Sequence, residues 1–315
     1  MEKILIDSGP SKKGWSYYST AFRCLHLHAL KRAGLINESR DPMTRGSMFH
    51  VGVAHLHTQQ MCKQTGNDPS LFYNPEQAIE EWAKRHQEGL PHIDRVIETY
   101  RRYVAVYPEP PGKRIVGVEC ELAGVLGWKG GEWGLWAVSS SDVESPSPIW
   151  VQGGVITPST IECPGHPDNG RNIFLTRKLD LVIEDLRGNV YVEDYNAKAV
   201  EVYDSTARKY AMSGEFAVTR ILSKQVWPRY GGVALWMVQT CSPWKIAKPA
   251  VPESPWRDST FPRDLHRMAH TLAFLERDTP DPHLWPMAQN EVSCVGRYEK
   301  DGCPAMGFCM NGRMG

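Results

Sequence analysis

The spacing of hydrophobic residues changes from helical to strand-like partway along this chain. In the first third, apolar residues recur three and four positions apart, which is the spacing of amphipathic helices. The pattern predicts helices over 16–33, 45–63 and 75–106, the last with a break at Gly89 to Pro91, where two poor helix formers flank Leu90.

From Ile115 to Leu122 apolar and polar residues alternate, as they do in a half-buried strand, with Glu119 and Glu121 on one face. A tight turn at Arg187 to Asn189 is expected to join the next two strands into a hairpin. The predicted elements that follow are strands over 173–185 and 189–200, a helix over 205–223, an apolar central strand over 232–240 and a helix over 262–277. The pattern predicts loops with short strands over 127–172 and irregular structure over the proline-rich 242–261.

This order of elements predicts a single α/β domain that spans residues 1–315. Its parts would be N-terminal helices over 16–106, a catalytic sheet over 114–240, and a C-terminal helix with a cysteine tail over 262–315.

Charge and composition exclude few classes of protein. The 36 basic and 36 acidic residues balance, although two basic stretches, 12–45 and 208–229, could follow a phosphate backbone or simply form solvated faces. No apolar run is long enough to span a membrane, and the first fifteen residues lack the apolar core of a secretion signal. Eight cysteines are too few for a disulfide scaffold, so we expect a reducing, cytoplasmic compartment and no membrane partner.

Four of the cysteines are distributed in an informative way. Cys24 lies near the start, and Cys294, Cys303 and Cys309 close the chain with eight and then five residues between them. Thiolates bind zinc or iron–sulfur clusters, and a set split in this way can join both ends of a domain to one inorganic group. A zinc finger favours two closely spaced pairs instead. A zinc-stabilised structural protein and four unrelated buried thiols remain the alternatives at this point.

Two aspartates are candidates for a second metal site. Asp180 interrupts an otherwise apolar strand, and Asp194 follows on the next strand of the hairpin, which brings the two near the same register. A carboxylate inside a sheet is costly unless a cation or a hydrogen-bonding partner compensates it. Carboxylate oxygens suit Mg²⁺ and Mn²⁺, so the pair predicts such a site, to which Glu119 or Glu121 could add a ligand. The alternative is that both aspartates lie on a solvated face.

The order of these motifs resembles one protein family. Cys24, then Gly46-x-x-x-His50, Asp180, Asp194 and the three terminal cysteines are similar to the iron–sulfur branch of the PD-(D/E)XK nucleases, and the resemblance covers nearly the whole chain. This branch includes RecB-type and AddB-type nuclease domains and CRISPR-associated exonucleases. The resemblance implies a restriction-endonuclease-like fold, with a central mixed sheet flanked by helices. It also implies a structural [4Fe–4S] cluster on Cys24, Cys294, Cys303 and Cys309.

The resemblance further implies a metal-dependent DNA nuclease, an exonuclease or end-processing enzyme acting on DNA ends or single strands. Asp180 and Asp194 would hold Mg²⁺ or Mn²⁺, and His50 would contact the metal or orient a water, with His55 and His57 competing for that role. Family members of this size occur in bacterial or phage-infected cells. A recombination, replication or CRISPR-related protein is therefore the expected partner.

The chain departs from the family pattern at Asn196, where relatives carry the lysine of Asp-x-Lys that positions the attacking water. Lys198 lies on the same strand face, about 6.6 Å further along, and is the sequence candidate for a displaced lysine. The alternative is a catalytically impaired subunit that keeps the nuclease fold and binds DNA or a protein partner. A second departure is Glu215, where relatives carry the glutamine of a DNA-contacting Gln-x-x-x-Tyr motif.

Overall fold

The helices of this protein follow the predicted order but differ in their breaks. The computed structural model describes residues 3–6, 14–36, 41–107, 112–129, 131–138, 173–198, 206–242, 244–288 and 303. Within them the α-helices are α1 (Trp15–Arg23), α2 (Leu25–Arg32), α3 (Asp41–Thr65), α4 (Pro75–Arg85), α5 (Ile93–Val106), α6 (Thr206–Ala211), α7 (Gly214–Val226) and α8 (Pro255–Asp278). Short 3₁₀ helices lie at Pro69–Leu71, Gln87–His92 and Pro282–Leu284.

Two predicted helices are each divided into two, and the last predicted helix begins earlier than residue 262. The segment 16–33 is broken at Cys24, which takes an extended conformation and caps α2 by accepting the backbone N–H of Leu27 on its sulfur. The segment 205–223 is broken before Gly214, where Ser213 caps α7 through Phe216 N–H. The last helix begins at Pro255, because proline is well tolerated in a first helical turn. The predicted break after α4 is confirmed by the 3₁₀ turn at Gln87–His92.

A seven-stranded, mostly antiparallel sheet forms the centre of the described structure. Its strands are β1 (Arg114–Lys129), β2 (Glu132–Val138), β3 (Ile173–Glu184), β4 (Val190–Lys198), β5 (Tyr230–Gln239), β6 (Ile246–Ala247) and β7 (Ala250–Val251). Their order is β2-β1-β3-β4-β5-β6, and β7 also pairs with β5. Only β4 and β5 pair in parallel among these strands, and α6 and α7 supply the crossover that a parallel pair requires.

Helices cover both faces of the sheet and bury two hydrophobic cores. Two consecutive residues of β5 illustrate this. Leu235 packs in the core beneath α7 and α8, whereas Trp236 packs in the core beneath α3, α4 and α5. The predicted mixed α/β architecture with flanking helices is therefore confirmed. Within the described residues, no helix combines the length and apolar character needed to cross a membrane.

The sheet forks at its centre. β3 and β4 are joined by the predicted tight turn, in which Gly188 has φ 79°, but their pairing ends at Leu181 and Glu193. From Leu181 back towards Ile173, β3 pairs with β1. From Glu193 onwards to Lys198, β4 pairs with β5. The fork leaves a gap between the two diverging strands, and this gap forms a cleft.

Candidate functional site

A cleft of about 380 Å³ lies at the fork of the sheet. β1, β3 and β4 supply its floor, α3 supplies one wall, and the first turns of α1 and α7 supply the other. Its charged and metal-ligating lining side chains are His50, Glu119, Arg177, Lys178, Asp180, Asp194 and Glu215. Three of the predicted site residues, His50, Asp180 and Asp194, are thus brought together.

Three side chains converge closely enough to share one metal ion. One ligand atom each from His50, Glu119 and Asp180 lies within 4.8 Å of the other two. His50 Nδ1 is 3.5 Å from Asp180 Oδ2. Gly46 precedes His50 by one helical turn, and a side chain there would project into open space at the rim of the cleft.

Glu119 reaches this group through a strained backbone. Val118 pairs with Leu181 and Cys120 with Leu179, so Glu119 lies opposite Asp180 across the two strands. Its φ is 49°, a left-handed conformation that costs a non-glycine residue about 1 kcal/mol or more. Strain of this kind is concentrated at functional sites, and here it brings a buried carboxylate into the cleft.

The positive φ of Glu119 breaks the strand alternation that was predicted to place Glu119 and Glu121 on one face. The two glutamates do not share a face of the cleft, because only Glu119 lines it. Burial raises the pKa of Glu119 well above its usual range, with a further contribution from the negative charge of Asp180. The nearby ammonium of Lys178 opposes this rise in the pKa.

Asp194 is held by a buried arginine. Arg177 donates to Asp194 Oδ1 over 2.6 Å and to Glu215 Oε1 over 3.1 Å, while its Nε donates to the hydroxyl of Thr219 on α7. Burial raises the pKa of Asp194, and the nearby guanidinium opposes that rise. Asp194 thus lies in the cleft with one oxygen engaged. Glu215 serves Arg177 as a second acceptor, at the position where the sequence resemblance places a glutamine.

Lys178 is a basic group in direct contact with one of the three converging ligands. Its Nζ is 3.1 Å from Glu119 Oε2, and both side chains are largely buried. Asn196 also lines the cleft, where its side-chain amide donates to the hydroxyl of Tyr210. Lys198 ends β4 two residues later, and its side chain lies outside the described residues.

The structure distinguishes His50 from His55 and His57, the two other histidines that the sequence offered for the same role. His55 Nε2 accepts the backbone N–H of Ile6, and its Nδ1 bonds Tyr73 O. His57 is fully buried and bonds Gln60 and the hydroxyl of Tyr195. Burial lowers the pKa of each to about 4. Neither lines the cleft, so His50 is the histidine of the site.

Two of the four predicted cluster cysteines are described, and they lie together. Cys24 and Cys303, from opposite ends of the chain, are both buried in one small cluster with Leu27, Leu30 and Ile36. Cys24 Sγ accepts two backbone N–H groups, from Leu27 at 3.5 Å and from Ala288 at 3.4 Å. The bond from Leu27 is the N-terminal cap of α2, and hydrogen bonds to sulfur also occur at iron–sulfur clusters, where they tune the reduction potential. Cys294 and Cys309 lie outside the described residues.

The chemistry of the cleft fits a divalent cation. Among the described residues that line it, four carboxylates face two cationic side chains, which leaves two negative charges in excess when all are ionised. The donor set of one imidazole and two carboxylates suits Mn²⁺ better than Mg²⁺, which prefers oxygen ligands throughout. Comparison of the sequence with models of known protein families and with the curated proteins found no match.

Proposed function

We propose that this protein is a metal-dependent nuclease of the PD-(D/E)XK type that cuts DNA at or near ends. The observation that carries the proposal is the convergence of His50, Glu119 and Asp180 within 4.8 Å at the fork between β3 and β4. Asp194 lines the same cleft from β4, just beyond the point where β4 separates from β3. Two acidic residues on neighbouring strands with a histidine from a flanking helix are the arrangement that the sequence resemblance implies.

The residues have distinct roles in this proposal. His50, Glu119, Asp180 and the second oxygen of Asp194 would hold Mn²⁺ or Mg²⁺. A bound divalent ion supplies Lewis-acid polarisation of the phosphoryl group and makes water more nucleophilic. Hydrolysis then forms one bond from water oxygen to phosphorus and breaks one phosphorus–oxygen ester bond. One product ends in a phosphate monoester, and the other takes a proton and ends in a hydroxyl.

A [4Fe–4S] cluster held by Cys24, Cys294, Cys303 and Cys309 completes the proposal. Its support is the common burial of Cys24 and Cys303, together with the two N–H groups directed at Cys24 Sγ. The cluster would hold the C-terminal segment against α2 and take no part in phosphodiester chemistry. Because it would close a loop of some 270 residues, its contribution to stability would be large.

The departure at Asn196 favours a second candidate, a nuclease-fold subunit that binds DNA or a protein partner without cutting. The test is incubation of the purified protein with Mn²⁺ and end-labelled linear DNA, single-stranded and double-stranded, beside covalently closed circles of the same sequence. Cleavage of the linear forms that requires Mn²⁺ supports the nuclease.

DNA binding without cleavage, with cleavage gained by Asn196→Lys, supports the non-cutting subunit. Failure to bind Mn²⁺ in an electron paramagnetic resonance titration would overturn the metal site itself.

A further inference from the structure

Among the described side chains that line the cleft, the ammonium group is that of Lys178 on β3. Lys178 precedes Asp180 by two residues on the same strand, and both side chains line the cleft. Its Nζ lies 3.1 Å from Glu119, which is itself one of the three converging ligands. An ammonium at this distance from a ligand carboxylate lies beside any ion that the three ligands hold.

Arg177, the other cationic side chain among the described residues of the cleft, is unsuited to act on a reacting water. Arg177 is engaged by Asp194, Glu215 and Thr219, and its side chain is only 11% exposed. These contacts fix the guanidinium between β4 and α7. Lys178 differs because its point charge sits on a flexible stem with three rotatable donors, so it can retain Glu119 and donate to a second acceptor.

We infer that Lys178 is the catalytic lysine of this site and replaces, from a different strand, the lysine that Asn196 lacks. This inference rests on the proposed nuclease function. Lys178 donates a hydrogen bond to the attacking water and offsets the negative charge that grows on the phosphoryl group. The water gives its oxygen to phosphorus and one proton to solvent, and the lysine gains and loses none. The role is positional and electrostatic.

The test compares three lysine-to-methionine variants, which remove the charge and keep the length of the stem. Lys178→Met is expected to lower the single-turnover cleavage rate by about 10²-fold or more. Its Mn²⁺ affinity should stay the same or rise, because a cation beside the ligands has been removed. Lys198→Met should cut DNA at close to the wild-type rate. Lys84→Met is the control, because Lys84 also pairs with a glutamate, 3.8 Å away, but on the exposed surface of α4.

Each outcome decides the inference. Wild-type cleavage that survives Lys178→Met overturns it, and a large loss in Lys198→Met alone assigns the role to Lys198. Loss of both cleavage and Mn²⁺ binding in Lys178→Met also overturns it, since the lysine would then serve only to hold Glu119.

Failure of the nuclease proposal looks different, because wild-type protein would then bind Mn²⁺ and leave all DNA intact, and the inference would fall with it. Lys178→Arg adds a further readout: retained Mn²⁺ binding with partial recovery of the rate supports a charge requirement.

Discussion

The carboxylate of Asp180 accepts a hydrogen bond from the backbone N–H of Tyr195, over 2.7 Å, where β3 and β4 separate. The same oxygen, Oδ2, is the one that lies 3.5 Å from His50 Nδ1. Within the described part of the chain, Oδ1 has no hydrogen-bond or ion-pair partner. One oxygen therefore joins the diverging strands, and the other is available to a cation.

This division predicts different outcomes for two matched substitutions. Asp180→Asn should abolish Mn²⁺-dependent cleavage with little loss of stability, because the amide oxygen can still accept the Tyr195 N–H. Asp194→Asn should abolish cleavage and also lower the free energy of unfolding by about 2 kcal/mol, because it removes the charge of the nearer of the two carboxylates that pair with buried Arg177. Cleavage gels and urea unfolding measure the two effects. Equal destabilisation by both substitutions, or near-native cleavage by either, would contradict this assignment.

The strained backbone at Glu119 predicts that two substitutions with the same effect on the site will differ in stability. Glu119→Gly and Glu119→Ala both remove the carboxylate, so both should weaken Mn²⁺ binding and cleavage. They differ in that only glycine adopts φ 49° without strain, so the glycine variant should be more stable than the alanine variant by about 1 kcal/mol. Urea unfolding of the pair isolates the backbone contribution. Equal stabilities would show that the left-handed conformation is not maintained in solution.

Local patterns in the sequence were sufficient for much of the fold. The hairpin between β3 and β4 was predicted from its turn residues, and the buried β5 from its continuous apolar run. The resemblance placed His50, Asp180 and Asp194 in one site, and the structure brings all three into one cleft. These features depend on residues close in sequence, or on motifs whose order is itself informative.

The remaining parts of the site depend on contacts that no local pattern encodes. Alternation assigned Glu119 and Glu121 to one face, and a single residue with positive φ invalidated that assignment. Lys178 carried a usable signal in the sequence, because it lies two residues before Asp180 and alternation places both on one face of the strand. The fork itself could not be predicted, since it depends on where pairing between two strands stops.

The cysteine arrangement predicts iron that depends on both ends of the chain. Protein purified without oxygen should be brown and contain about four iron atoms, and Cys24→Ser or Cys303→Ser should lose iron, colour and stability together. Cys62→Ser is the matched control, since Cys62 is equally buried but lies on α3, outside the set of four. Iron analysis and the visible spectrum decide the matter. Colourless protein with stoichiometric zinc would replace the cluster with a zinc site.

The last prediction concerns His55 and acidic pH. Burial lowers the pKa of His55 to about 4, while its bond to Tyr73 O opposes the shift. With Nδ1–H donated to Tyr73 O, Nε2 accepts the Ile6 N–H, so a second ring proton would remove the acceptor that holds the N-terminal segment 3–6. The stabilising effect is complete above the unfolded pKa of about 6.5 and is lost as pH falls towards about 4.

Hydrogen exchange of residues 3–6, corrected for the intrinsic effect of pH, should therefore show protection that declines between about pH 6.5 and pH 4. His55→Gln should keep an acceptor near Ile6 N–H but remove the titration, so that the pH dependence in this segment disappears. His57→Gln is the control, because His57 is also buried and neutral but bonds Gln60 and Tyr195 instead. Protection that falls equally in wild-type protein and in His55→Gln would assign the effect to another group.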